Sequence, residues 1–136
     1  MGLAKFTVVL ALVVALGVAA WPSATQTSEV KGVTIAVTPG NLDAGSSIWD
    51  FAIAFDAAGG RRLDDEMLDD VVLVGDGVRV KPLAWEGQPS GVKGHRAGVL
   101  KFVAIRPRPK ELQLRITRPG EAKPRVFTFG FGDWAA

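Results

Sequence analysis

The chain has 136 residues, a formal net charge of +2, 48% hydrophobic residues and no cysteine. Without cysteine, thiol catalysis, iron–sulfur clusters, covalent haem attachment and most structural zinc sites are excluded. The charge is unevenly placed: 4 basic and 10 acidic residues up to Val78, then 12 basic and 4 acidic from Arg79 onward. Such a dipole either steers a charged partner or sets two halves facing each other across a sheet, where they neutralise.

At the N-terminus, Lys5 precedes an uninterrupted apolar run of 15 residues, Phe6–Ala20, with the small residues Val18 and Ala20 near its end. A short basic region, an apolar core and a small-residue exit form a secretory signal peptide. A membrane-spanning helix needs ~20 apolar residues, so an uncleaved anchor is the alternative reading. No cysteine follows the run, which excludes a lipoprotein anchor. The division expected is a signal peptide over 1–20, a polar linker over 21–29 and one domain over 30–134. The destination is periplasmic or extracellular, and a cysteine-free exported domain suits a bacterial envelope.

Beyond the linker the apolar residues recur with period two, the mark of half-buried strands. Val33, Ile35 and Val37 share a face; so do Trp49, Phe51, Ile53 and Phe55, which are expected to point into the core. Asp76-Gly77 between apolar runs is a strong hairpin signal, because a type I′ turn needs positive φ at both central residues. Leu112, Leu114 and Ile116 alternate with polar residues, and Phe127, Phe129 and Phe131 line up after a turn at Pro119-Gly120. Pro107 and Pro109 cannot donate to a ladder and break the chain before Glu111. Seven strands are predicted, near 32–38, 48–56, 71–75, 78–85, 98–105, 111–118 and 125–131. That number of short strands in a domain of this size predicts an all-β fold, an immunoglobulin-like antiparallel β-sandwich.

The segment 78–97 carries the candidate binding residues Trp85, Glu86, His95 and Arg96. Alternation from Val78 would put Leu83 and Trp85 on the charged face of their strand. A bulge at Pro82 could return both to the core; otherwise they form an exposed apolar patch. Glu86–Ala97 then reads as a loop of twelve residues, longer than most hairpin connections. His95, the only histidine, is either a structural residue bonding a loop carbonyl or a weak metal ligand with Glu86 as its loop partner.

The motifs Trp49-Asp50-Phe51, Pro82–Gly87 (PLAWEG) and Gly94–Phe102 (GHRAGVLKF) resemble those of a group of uncharacterised exported bacterial proteins. That resemblance implies an all-β domain with a Trp-Glu-Gly turn, a histidine-bearing loop and a G-x-L-x-F strand. It implies no activity. Members often carry two adjacent histidines where this chain has Gly94-His95; if such pairs bind a metal, half the site is missing here.

Other chemistries lack their residues. Ser90 and His95 share a segment, but there is no G-x-S-x-G elbow and no phosphate-cradling glycine loop. Asp64, Asp65, Glu66, Asp69 and Asp70 are hard oxygen donors without the spacing of a calcium loop or the cleft of a glycosidase. Copper would want several His, Met or Cys ligands, and past the leader only His95 and Met67 are present. Export and the scatter of basic residues argue against nucleic acid. The expectation is a non-enzymatic domain without a cofactor, binding an envelope protein or a surface polymer through a sandwich edge or the 86–97 segment. The alternative is a weak metal-ion or small-ligand binder using His95.

Overall fold

The computed structural model describes residues 24–60, 63, 70–88 and 93–131. The segment Phe6–Ala20 and the acidic run 64–69 lie outside the described residues. The strands are β1 (Gln26–Val30), β2 (Val33–Pro39), β3 (Ile48–Ala57), β4 (Asp70–Gly75), β5 (Val78–Val80), β6 (Ala84–Gln88), β7 (His95–Val103), β8 (Glu111–Thr117) and β9 (Arg125–Gly130). They form two antiparallel sheets, one of five strands in the order β1-β2-β3-β7-β6 and one of four in the order β9-β8-β4-β5. The fold is all-β, as the period-two pattern predicts.

The core lies where the two apolar faces meet. On β3, Trp49, Phe51, Ile53 and Phe55 are all within 1% of complete burial. Phe51 packs on Phe129 of β9 with ring centroids 5.7 Å apart, and Trp49 packs on Phe131 at 6.0 Å. These contacts join one sheet to the other. Trp49 also donates its indole N–H to the Asp43 carbonyl at 3.0 Å, so its polar atom is satisfied while the ring is buried.

Three elements differ from the sequence expectation. Gln26–Val30, all but its last residue in the stretch read as linker, pairs with β2. Its hairpin turns at Lys31 and Gly32, with φ of 54° and 81°, a type I′ geometry without the usual Asn-Gly or Asp-Gly signal. The strand expected over 78–85 is two strands in different sheets: the chain leaves the four-stranded sheet at Val80, passes Pro82 and enters the five-stranded sheet at Ala84. Pro82 therefore marks a change of sheet instead of a bulge. Leu83 is left 55% exposed, whereas Trp85 packs partly buried against the core. The third difference is the long loop. Glu86–Gln88 and His95–Ala97 are strand residues, so the β6–β7 connection covers only 89–94.

One end of the sandwich is tied by Arg125, which is in phase with Phe127 and Phe129 and only 4% exposed. Its Nη1 donates to the carbonyls of Ser28 and Val33 at 2.8 and 2.9 Å. Its Nε and Nη2 donate to the two carboxylate oxygens of Glu121 at 3.0 and 2.6 Å. Arg118 adds a bond to Glu121 at 2.9 Å, and Lys31 reaches the Gly120 carbonyl at 2.9 Å. The β8–β9 turn is thereby fastened to the β1–β2 hairpin. Gln26 closes the flank by exchanging side-chain amide bonds with the backbone N–H and C=O of Thr128.

Truncating Trp49 to Ala leaves a large cavity in the seam and should cost ~3–5 kcal/mol, against ~5–15 kcal/mol for a typical domain. The variant should be partly unfolded or melt far lower by circular dichroism; a near-unchanged melting temperature would refute the packing assigned to β3.

The hydrogen bond from Arg125, with Arg118 assisting, holds the Glu121 carboxyl below the usual carboxylate range against the opposing effect of burial. Its folded pKa is thus lower than its unfolded one. The stability it provides is complete above the ordinary carboxylate range and is lost as pH falls through the folded value. Glu121→Gln removes the carboxylate from a buried guanidinium and should cost ~3–5 kcal/mol near neutrality. The gap to wild type should narrow in acid; an equal gap at neutral and strongly acidic pH would contradict the pairing.

Candidate functional site

The four candidate residues sit on β6 and β7, at one margin of the five-stranded sheet. Cross-strand register decides which of them can act together. Trp85 pairs with Leu100 and Arg96 with Phe55, both on the face toward the core. Glu86 pairs with Val99 and His95 with Asp56, on the outer face. Because neighbouring residues of a strand point to opposite faces, the sheet separates Trp85 and Arg96 from Glu86 and His95.

On the inner face, Trp85 lies edge-on to Phe55 with ring centroids 6.3 Å apart. Its ring covers Gly98, where a Cβ would stand 2.6 Å from Trp85 Cη2 and 2.6 Å from the Glu86 carbonyl oxygen. Glycine at 98 is therefore what lets the indole lie flat on β7. The polar ends meet beside Gly87: a Cβ there would be 3.2 Å from Trp85 Nε1 and 3.4 Å from Arg96 Nη2. An indole N–H donor and a guanidinium thus gather on the exposed margin strand.

On the outer face, His95 Nδ1 lies 2.7 Å from Asp56 Oδ1. A carboxylate can only accept, so Nδ1 carries the hydrogen and Nε2 is the remaining ring nitrogen. The imidazole is oriented by a carboxylate of the neighbouring strand, and the loop carbonyl expected as its partner is not the one it uses. Gly94, with φ of 80°, positions this end: its carbonyl accepts from Ala57 N at 2.8 Å, and a Cβ on it would stand 2.7 Å from Gly60 Cα.

Glu86 is not a partner of His95. It pairs with Lys101 at 3.2 Å, an exposed bridge worth at most ~1 kcal/mol. The register places Glu86 opposite Val99, four residues along β7 from His95, or roughly 13 Å. Among the described residues no group of three or more His, Cys, Asp or Glu side chains is placed to hold a metal ion. Nor is any helix among them long and apolar enough to cross a membrane. Sequence reasoning missed Asp56, although the alternation of β3 puts it outward at the strand's end.

No protein-family model and no curated protein matches the chain.

Proposed function

We propose that this is a non-enzymatic domain exported to the bacterial envelope, binding another protein or a surface polymer through its β6 margin. The observation that carries the reading is the meeting of the Trp85 indole N–H and the Arg96 guanidinium beside Gly87, an exposed residue of the margin strand. Among the described residues β6 is the end strand of its sheet, and an end strand offers a flank of its backbone to an added strand. Tryptophan and arginine are the side chains most enriched in interface cores, and Leu83, 55% exposed, adds apolar surface just before β6.

The strand orders favour an immunoglobulin-like reading of the sandwich. With β2 as strand A, the two sheets run A-B-E-D and G-F-C-C′, and β1 is an extra margin strand. The apolar segment Phe6–Ala20 supports export as a signal peptide. The resemblance to exported bacterial all-β proteins points the same way.

The margin reading is tested by crosslinking and pull-down from the native envelope. Wild type should recover a specific partner, Trp85→Ala and Arg96→Ala should lose it, and Trp85→Phe should retain part of it. If wild type and the alanine variants recover the same background proteins, the reading fails.

A second reading rests on the Asp56–His95 pair, since a carboxylate is one of the groups that hold the other ring nitrogen of ligating imidazoles. His95 would then be one ligand of a weak site completed by a second chain. At Gly94 the backbone leaves no room for a second histidine without a shift, so the pair found in the resembling group is not accommodated here. Titration with Zn²⁺ or Cu²⁺ should show one ion per two chains and loss of binding in His95→Ala. Equal binding by wild type and variant would remove it.

A further inference from the structure

We propose that the outer face of the five-stranded sheet is a second docking surface, and that its occupant is a cationic polypeptide segment lying across the strands. This surface does not use Trp85 or Arg96, although Glu86 of β6 stands on its rim.

The register builds a flat floor. Ala36, Ala54 and Ala97 stand side by side on β2, β3 and β7, and the adjacent row is Thr38, Ala52 and Val99. All six alternate with buried residues and so point outward. None carries a side chain larger than valine. Alanine is depleted in strands, and a solvated face ordinarily carries threonine or long charged residues. Four alanines over the three middle strands are therefore not explained by strand formation. They are explained by an approaching chain that needs a low floor.

The rims give the chemistry of that chain. On one side the row is Glu29, Thr34, Asp56 and His95; on the other, Asp50 and Lys101 stand level, with Glu86 close by. Among the described residues of these rows, and with His95 neutral, four carboxylates against one ammonium leave three net negative charges, in a chain whose overall charge is +2. Glu29 and Asp50 are also held in place, accepting from the backbone N–H of Gly32 at 2.8 Å and of Asn41 at 3.0 Å. Fixed carboxylates on both sides of an apolar floor suit a segment with small or apolar side chains facing the alanines and lysine or arginine reaching to each rim. A second copy of the chain fits less well: a two-fold axis along the strands brings Asp56 to Asp56, and one across them brings Asp56 to Asp50.

The test uses the full chain labelled with ¹⁵N and two synthetic peptides, one alternating valine with lysine and one alternating valine with glutamate. The lysine peptide should shift the amides of β2, β3 and β7, and the glutamate peptide should not. The triple variant Glu29→Gln, Asp50→Asn, Asp56→Asn keeps acceptors at each position while removing the charge, and should weaken binding at least ~10-fold. Ala54→Arg should abolish binding without moving the melting temperature, whereas Val126→Arg on the opposite sheet should leave it intact. Trp85→Ala should also leave it intact, which separates this proposal from the margin reading. Equal binding by the triple variant, equal binding of the glutamate peptide, or shifts confined to β6 or the four-stranded sheet would overturn it. So would concentration-dependent dimerisation through this face in place of peptide binding.

Discussion

The contact of Phe51 with Phe129, flanked by Trp49 with Phe131, is the interaction on which the rest of the molecule depends. With no cysteine in the chain, no disulfide joins the two sheets. β3 is paired on both sides, by β2 and β7, so whatever fixes its inner face fixes three strands at once. The same alternation that sends its aromatics inward sends Asp50, Ala52, Ala54 and Asp56 outward. Core and candidate docking face are thus two sides of one pattern.

The ends of the sandwich are closed by arginines, which accounts for part of the basic excess in the second half of the chain. At one end Arg125 takes carbonyls of β1 and β2 together with Glu121. At the other, Arg106 donates to the carbonyls of Ala44 and Ser46 at 3.0 and 2.8 Å. Arg108 donates to the Leu42 carbonyl at 3.2 Å and stacks 4.1 Å from the centroid of Phe131. Burial lowers the Arg108 pKa and the charge of Asp43 raises it, with burial the larger effect. Guanidinium suits this work because its donors are spread in a rigid fork that can bond several acceptors at once. The two halves of the chain interleave within both sheets, and much of what the arginines satisfy is backbone carbonyl instead of carboxylate.

The parts of the fold legible in the sequence were those with strict alternation against a buried face: β2, β3, β8 and β9, and the Asp76-Gly77 turn with φ of 48° and 80°. β1 was hidden because two of its three inward positions, Gln26 and Ser28, are polar residues that bond across to the other sheet or lie at its border. The β5–β6 break was hidden because Pro82 marks a bulge, a turn or a change of sheet equally well. Arg125 was in phase with two phenylalanines, but the burial of an arginine depends on carbonyls distant in sequence. In the candidate site, the pleat already separates Trp85 from Glu86 and His95 from Arg96. What the sequence could not supply was Asp56 as the partner of His95, since that pairing needs the β3–β7 register.

The central claim is that β3 and its inner face hold the structure together while β5 and β6 are lightly held margins. Native-state hydrogen exchange measures this residue by residue. The account predicts that the slowest amides are those of β3 and the ladders joining it to β2 and β7, opening only with global unfolding, and that β5 and β6 exchange through smaller openings. Protection in β5 or β6 equal to that of β3, or a β3 that opens before its neighbours, would contradict it.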